Sequence, residues 1–174
     1  MITGDGATVS EVALKHPALA GIHFTGSTGT FHRLWQGVAA NLDKYKTYPR
    51  LVGETGGKDF VVAHDSADPQ ALLVGLLRGA FEYQGQKCSA ASRAYIPKPM
   101  WEELRGPFAD ETEKIPMGDP SDFTVMMGAV IDEKSFRGHE AVLAGARKDA
   151  HLQLIAGGEA DDSEGWFVRP TVYE

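Results

Sequence analysis

The chain has 174 residues, 43% of them hydrophobic, with 17 Lys and Arg against 24 Asp and Glu for a formal net charge of −7. That length and apolar content fit one domain, or pieces of two, around a packed core. An acidic balance without a Lys/Arg cluster disfavours nucleic acid as a partner, and no apolar run approaches the roughly 18 residues of a membrane span.

The opening stretch Met1-Ile2-Thr3-Gly4-Asp5-Gly6 has neither the basic nor the apolar region of a signal peptide. Ile22-His23-Phe24-Thr25 reads as a short strand ended by Gly26-Ser27-Thr28-Gly29. The spacing of Phe31, Leu34, Trp35, Val38, Ala39 and Leu42 then predicts an amphipathic helix. Leu51-Val52-Gly53 and Phe60-Val61-Val62-Ala63 read as strands on either side of a break at Gly56-Gly57. Asp68-Pro69 is an N-cap followed by proline at the first helical position, and Leu73, Leu76, Leu77, Ala80 and Phe81 continue an apolar stripe to about Gly85.

Ala94-Tyr95-Ile96 predicts a strand closed by Pro97, and Trp101, Leu104 and Phe108 a short helix. From Asp132 to about Ala150, Phe136, Leu143, Ala146 and Ala150 share one helical face. Leu152-Gln153-Leu154-Ile155 and Phe167-Val168 read as strands around a Gly/Asp-rich turn. The alternation predicts an α/β architecture with some parallel strands. The last residues, Val172-Tyr173-Glu174, fall inside a strand-like run. An unpaired apolar strand is an association liability, so the expectation is a fragment of a longer protein.

Three segments carry candidate chemistry, and each also has a plain structural reading. Phe24-Thr25-Gly26-Ser27-Thr28-Gly29-Thr30 is a strand, a small-residue turn and a helix start. Free amides there attract phosphate and glycine admits a ligand close to the backbone. The same residues also make an ordinary turn in which Thr28 or Thr30 caps the helix. In Gly53-Glu54-Thr55-Gly56-Gly57-Lys58 a carboxylate stands beside a Gly-Gly break at a strand end, where α/β proteins place reacting groups; it also reads as a solvated loop glutamate. In Gly85-Gln86-Lys87-Cys88-Ser89-Ala90 the only cysteine follows a lysine among small residues. A neighbouring cation and backbone amides favour thiolate, whereas an inert buried thiol is the plain alternative. One cysteine forms no internal disulfide, which points to a reducing compartment.

Together these segments, with Glu54 34 residues before Cys88, form one reaction plan. Phe24-Thr25-Gly26-Ser27-Thr28, Glu54-Thr55-Gly56-Gly57-Lys58 and Gly85-Gln86-Lys87-Cys88 resemble, in order, three signatures of the aldehyde dehydrogenase superfamily. Tyr48-Pro49-Arg50-Leu51-Val52-Gly53-Glu54, Ala80-Phe81-Glu82-Tyr83, Gln86-Lys87-Cys88-Ser89-Ala90, Ser92-Arg93, Val130-Ile131-Asp132-Glu133-Lys134-Ser135-Phe136 and Ile155-Ala156-Gly157-Gly158 resemble one branch of it. That branch oxidises L-glutamate γ-semialdehyde to L-glutamate in proline catabolism.

The resemblance implies the end of a Rossmann-type cofactor domain in residues 1–54 and part of an α/β catalytic domain in 55–174, both incomplete. It implies Cys88 as nucleophile, Glu54 as general base and the Cys88 amide as an oxyanion donor. Gly26, Ser27, Thr28, Gly29 and Thr30 match the segment that binds NAD. Lys87 and Ser89, beside the nucleophile, become contacts for the substrate's carboxylate, although Lys87 also reads as a residue that only tunes the thiol. The family's upstream asparagine oxyanion donor, its ribose-binding glutamate segment and its C-terminal substrate loop are expected outside these residues. Gln84 departs from a frequent glycine and Thr55 from a frequent leucine.

The implied partner is a small-molecule aldehyde, and the parent enzyme is expected to be a homo-oligomer. It acts in the mitochondrial matrix of eukaryotes or the cytoplasm of bacteria. No metal is expected, because the six histidines lack ligand spacing. Two competing readings are a cysteine hydrolase or acyltransferase pairing Cys88 with a histidine, and a truncated product without turnover.

Overall fold

The computed structural model describes residues 3–174. They form two compact units, divided between Gly57 and Lys58. In the first, helix α1 (Gly6–Lys15) begins where the Asp5 carboxylate accepts the Thr8 N–H at 2.8 Å. This helix is absent from the expected elements, because it buries no residue and leaves Val9 and Val12 exposed. Strand β1 (Gly21–Thr25) and strand β2 (Arg50–Glu54) run parallel, with Thr25 opposite Glu54.

Helix α2 (Thr28–Ala39) is the crossover between them. It packs through Phe31, whose ring lies where a Gly53 side chain would project, and through Val38, which is buried. Leu14 of α1 fills the space above Gly37 in the same way. The expected apolar stripe is shorter than its sequence spacing. The helix stops at Ala39, Leu42 falls in a single 3₁₀ turn, and both Leu42 and Trp35 are 56% exposed.

The second unit opens with strand β3 (Asp59–Val62), helix α3 (Pro69–Phe81) and strand β4 (Ala91–Tyr95), again a parallel pair joined by a crossover. The α/β expectation with parallel strands therefore holds in both units. Asp68 accepts the Ala71 N–H at 2.7 Å with Pro69 at the first position, as the sequence predicts.

Helix α4 (Lys98–Glu113) is longer than the short helix expected around Trp101–Phe108 and contains Pro107. The proline removes one backbone donor and obscures the pattern. Burial of Met100, Leu104, Phe108 and Thr112 at spacings of four holds the helix through it. Leu73, Leu76 and Phe81 of α3 meet Met100, Leu104 and Phe108 of α4 in the core, joined by Ile115 and Met127.

Helix α5 (Glu133–Ala146) is capped by Asp132, which accepts the Ser135 N–H at 2.7 Å, and buries Phe136 and Leu143. It ends before Ala150, which the sequence spacing puts on the same face but which is exposed and outside the helix. Strands β5 (Leu154–Ala156) and β8 (Val172–Tyr173) pair antiparallel, as do β6 (Ala160–Asp161) and β7 (Phe167–Val168). The final strand is thus paired rather than bare. Glu174 exchanges backbone hydrogen bonds with Gln153, and its carboxylate accepts from Trp101 Nε1 at 2.6 Å and Arg105 Nε at 3.0 Å.

Candidate active site

In the first unit, two of the three candidate segments meet at the C-terminal end of the parallel pair. Glu54 is the last residue of β2, exposed, and its carbonyl accepts the Gly26 N–H at 3.0 Å. Gly26 begins the turn into α2. Ser27 is the N-cap, not Thr28 or Thr30: its hydroxyl accepts the Thr30 N–H at 3.2 Å and lies 2.8 Å from the Thr30 hydroxyl. Its extended backbone (φ −72°, ψ 141°) provides the geometry that an N-cap needs. Arg33 also binds Thr30 Oγ1, at 2.9 Å. The amides of Thr28 and Gly29 open the helix, where no intrahelical acceptor exists. A Gly/Ser turn, two free amides and a helix N-terminus at the end of a parallel pair fit the phosphate or ribose of a dinucleotide.

In the second unit the structure places Lys87, Cys88 and Ser89 in one exposed turn, in which the Ala90 N–H reaches back to the Lys87 carbonyl at 3.1 Å. Cys88 is a free, exposed thiol. Phe81 on one side of this segment and Ala90 on the other are buried, so its two ends are fixed to the core while its middle faces outward.

Between them α3 does not run on to Gly85 as a regular helix. Tyr83 (φ 54°, ψ 38°) and Gln84 (φ 56°, ψ 29°) take the left-handed conformation, followed by Gly85 at φ 65°. A non-glycine residue there costs on the order of 1–2 kcal/mol, so neighbouring bonds must hold the turn. Gln86 N–H donates to the Tyr83 carbonyl at 3.0 Å. The Gln84 amide, with its oxygen toward the Gly128 N–H, donates to the same carbonyl at 2.9 Å.

A cavity of about 440 Å³ opens at this turn, lined by Tyr83, Gln84, Gln86, Lys87, Ala129 and Ile131. Cys88 and Ser89 are outside that lining.

Glu82 is the residue that sequence reasoning missed as a functional candidate. Its carboxylate lies 2.7 Å from Lys87 Nζ and 3.0 Å from Arg78, and the Lys87 ammonium sits 4.9 Å from the centroid of the Tyr83 ring. The Arg78–Glu82 pair is legible as an i,i+4 spacing. The Glu82–Lys87 spacing of five is no helical contact, and only the left-handed break brings the two together. The hydrogen bonds from Lys87 and Arg78 hold the Glu82 carboxyl down at about 2, against an ordinary 4.5.

A carboxylate with a lowered folded value contributes stability above its unfolded value and loses it as pH falls toward the folded one. The stability contributed by the Glu82–Lys87 link is therefore expected to be present at neutral pH and to be lost between about pH 4.5 and 2, with the link itself opening near 2. Carboxyl-carbon NMR of Glu82 checks this. A midpoint near 2 that rises in Lys87→Met is expected, and ordinary titration in the folded parent contradicts it.

The aldehyde dehydrogenase family profile matches residues 1–174. The chain is 48% identical over 174 residues to "Delta-1-pyrroline-5-carboxylate dehydrogenase, mitochondrial" of Danio rerio, covering 99% of this chain and 31% of that one. It is 46% identical to the human protein of the same name, with the same coverage. The crystal structure of the Delta-pyrroline-5-carboxylate dehydrogenase from Mycobacterium tuberculosis bound with NAD superimposes with a TM-score of 0.95 at 53% identity, over 99% of this chain and 32% of that one. The chain thus spans about a third of the length of these relatives. No helix of the described residues is long and apolar enough to cross a membrane.

Proposed function

The chain belongs to the aldehyde dehydrogenase family, and from that premise we propose that it supplies the nucleophile, the base and part of the cofactor site for NAD-dependent oxidation of L-glutamate γ-semialdehyde to L-glutamate. This semialdehyde is the open form of Δ1-pyrroline-5-carboxylate, which the names of the relatives specify. The single observation that carries the reading is the exposed thiol of Cys88, presented on a turn with both ends fixed in the core. Residues 1–54 are read as the end of the cofactor domain and 55–174 as part of the catalytic domain.

The Cys88 thiolate adds to the aldehyde carbon and forms a thiohemiacetal, whose oxyanion accepts from the Cys88 amide. NAD+, when bound, accepts the hydride from that carbon, which leaves a thioester on Cys88. The turn Gly26-Ser27-Thr28-Gly29-Thr30 offers the amides of Thr28 and Gly29 to that cofactor, with the Ser27 cap fixing their direction. Glu54 takes a proton from the water that attacks the thioester, releasing the carboxylic acid and restoring the thiolate. Lys87 and Ser89 bind the carboxylate that the substrate carries through the reaction. The parent enzyme is read as a homo-oligomer, placed in the mitochondrial matrix in a eukaryote, a reading supported by the word mitochondrial in the relatives' names, or in the cytoplasm in a bacterium.

Glu54→Gln tests the division of labour. Hydride transfer precedes the step that needs the base, so the variant is expected to give a burst of about one NADH per site. Steady turnover then falls by roughly 100-fold. Stopped-flow absorbance separates the two phases, and an unchanged steady rate contradicts the role given to Glu54.

A further inference from the structure

The groups around Lys87 form a short charge ladder in which one anion stands between two cations. Arg78 at the end of α3 and Lys87 on the turn both bind the Glu82 carboxylate, at 3.0 and 2.7 Å. Lys87 is also the cationic member of the cavity lining at this turn, and it directly precedes the thiol. Its ammonium is held on two sides, by Glu82 and by the face of Tyr83 at 4.9 Å. The hold depends on the left-handed pair Tyr83–Gln84, which folds residue 87 back over residue 82. An unpaired lysine here would draw any anion toward Cys88, whereas a paired one offers directed hydrogen bonds with its charge largely balanced.

We propose that Glu82 is a specificity-determining residue whose charge offsets that of Lys87: it holds the ammonium beside the Tyr83 ring and balances its charge, so that anions as a class gain no general advantage at Cys88. The proposal rests on the reading of Cys88 as the reacting thiol, but its test needs neither turnover nor cofactor. Cys88 is the only cysteine in the chain, so alkylation reports on it alone.

The ratio of the alkylation rate with iodoacetate, an anion, to that with iodoacetamide, its neutral analogue, cancels thiolate fraction and accessibility. What remains is the local potential. In the folded chain at low ionic strength, Glu82→Gln is expected to raise this ratio about two- to three-fold. Lys87→Met is expected to lower it by a similar factor, and the double variant to return it to the parental value. Glu82→Asp, which keeps the charge, should stay close to the parent.

A purely structural Glu82 changes folding but not the ratio. An unchanged ratio in Glu82→Gln, or a double variant that fails to return to the parent, overturns the proposal. Lys87→Met leaves Glu82 and its Arg78 partner in place and gives a second, independent reading, and a parental ratio there overturns it as well. Failure of NADH formation would count against the dehydrogenase reading and leave this ratio unaffected.

Discussion

Gly157→Ala is expected to destabilise the second unit by about 3 kcal/mol or more, the largest loss of stability from any single methyl group added to the chain. Gly157 has φ +71°, and a Cβ there would run into the backbone carbonyl of Pro170 and come within 3.0 Å of Thr171 Oγ1. Both obstacles belong to the segment that leads into β8, so neither moves without breaking the β5–β8 pair. The Gly157 amide also donates to Glu113 at 2.6 Å, and the Gly158 amide to Thr171 Oγ1 at 2.9 Å. These bonds fix the turn from both sides.

Gly158 supplies the comparison. Its φ is +87°, but the nearest atom to an added Cβ is Leu154 Cδ2 at 2.9 Å, the far end of a flexible side chain. Gly158→Ala should therefore lose less than Gly157→Ala. Urea unfolding followed by circular dichroism checks the order, and equal midpoints for the two variants contradict the backbone clash.

Capping and crossover patterns made much of the fold readable in advance. Asp68-Pro69 marks the start of α3 because a carboxylate cap and a proline at the first position leave little else for that dipeptide to do. The Phe24–Gly29 segment reads as strand, turn and helix because its composition changes at each boundary. Glu54 and Cys88 were legible as candidates because each stands beside small residues at an element's end. Other features turn on contacts that no local window contains. Helix α1 buries no residue, and α4 is interrupted in sequence, though not in space, by Pro107. The strand at 172–173 pairs with Leu154 and Ala156, well outside any local window.

The turn before Cys88 is the clearest case. Nothing in Glu82-Tyr83-Gln84 announces two left-handed residues, since neither is glycine, asparagine or aspartate. The observed φ of 56° at Gln84 is one that glycine adopts without cost and glutamine does not. Once the break is present, Lys87 falls beside Glu82, and the charge at the nucleophile turn is set by a residue that the sequence motifs leave aside.

Cys88→Ala is expected to abolish NADH formation, a loss of at least about 10³-fold, because no other thiol in the chain can replace it. Fold and cofactor turn should survive, since Cys88 is exposed and makes no hydrogen bond among the described residues. The variant is therefore expected to keep the circular dichroism and urea midpoint of the parent. Loss of activity together with structure would leave the chemistry unassigned, whereas loss of activity alone assigns it to the sulfur.

The proposed function puts the oxidation on this thiol. It is tested most directly by following NADH absorbance with L-glutamate γ-semialdehyde and NAD+ in an enzyme that carries these residues together with the rest of the cofactor site, and in its Cys88→Ala variant, side by side. The account predicts NADH from the parent and none above background from the variant. NADH formed at the same rate by both would contradict it.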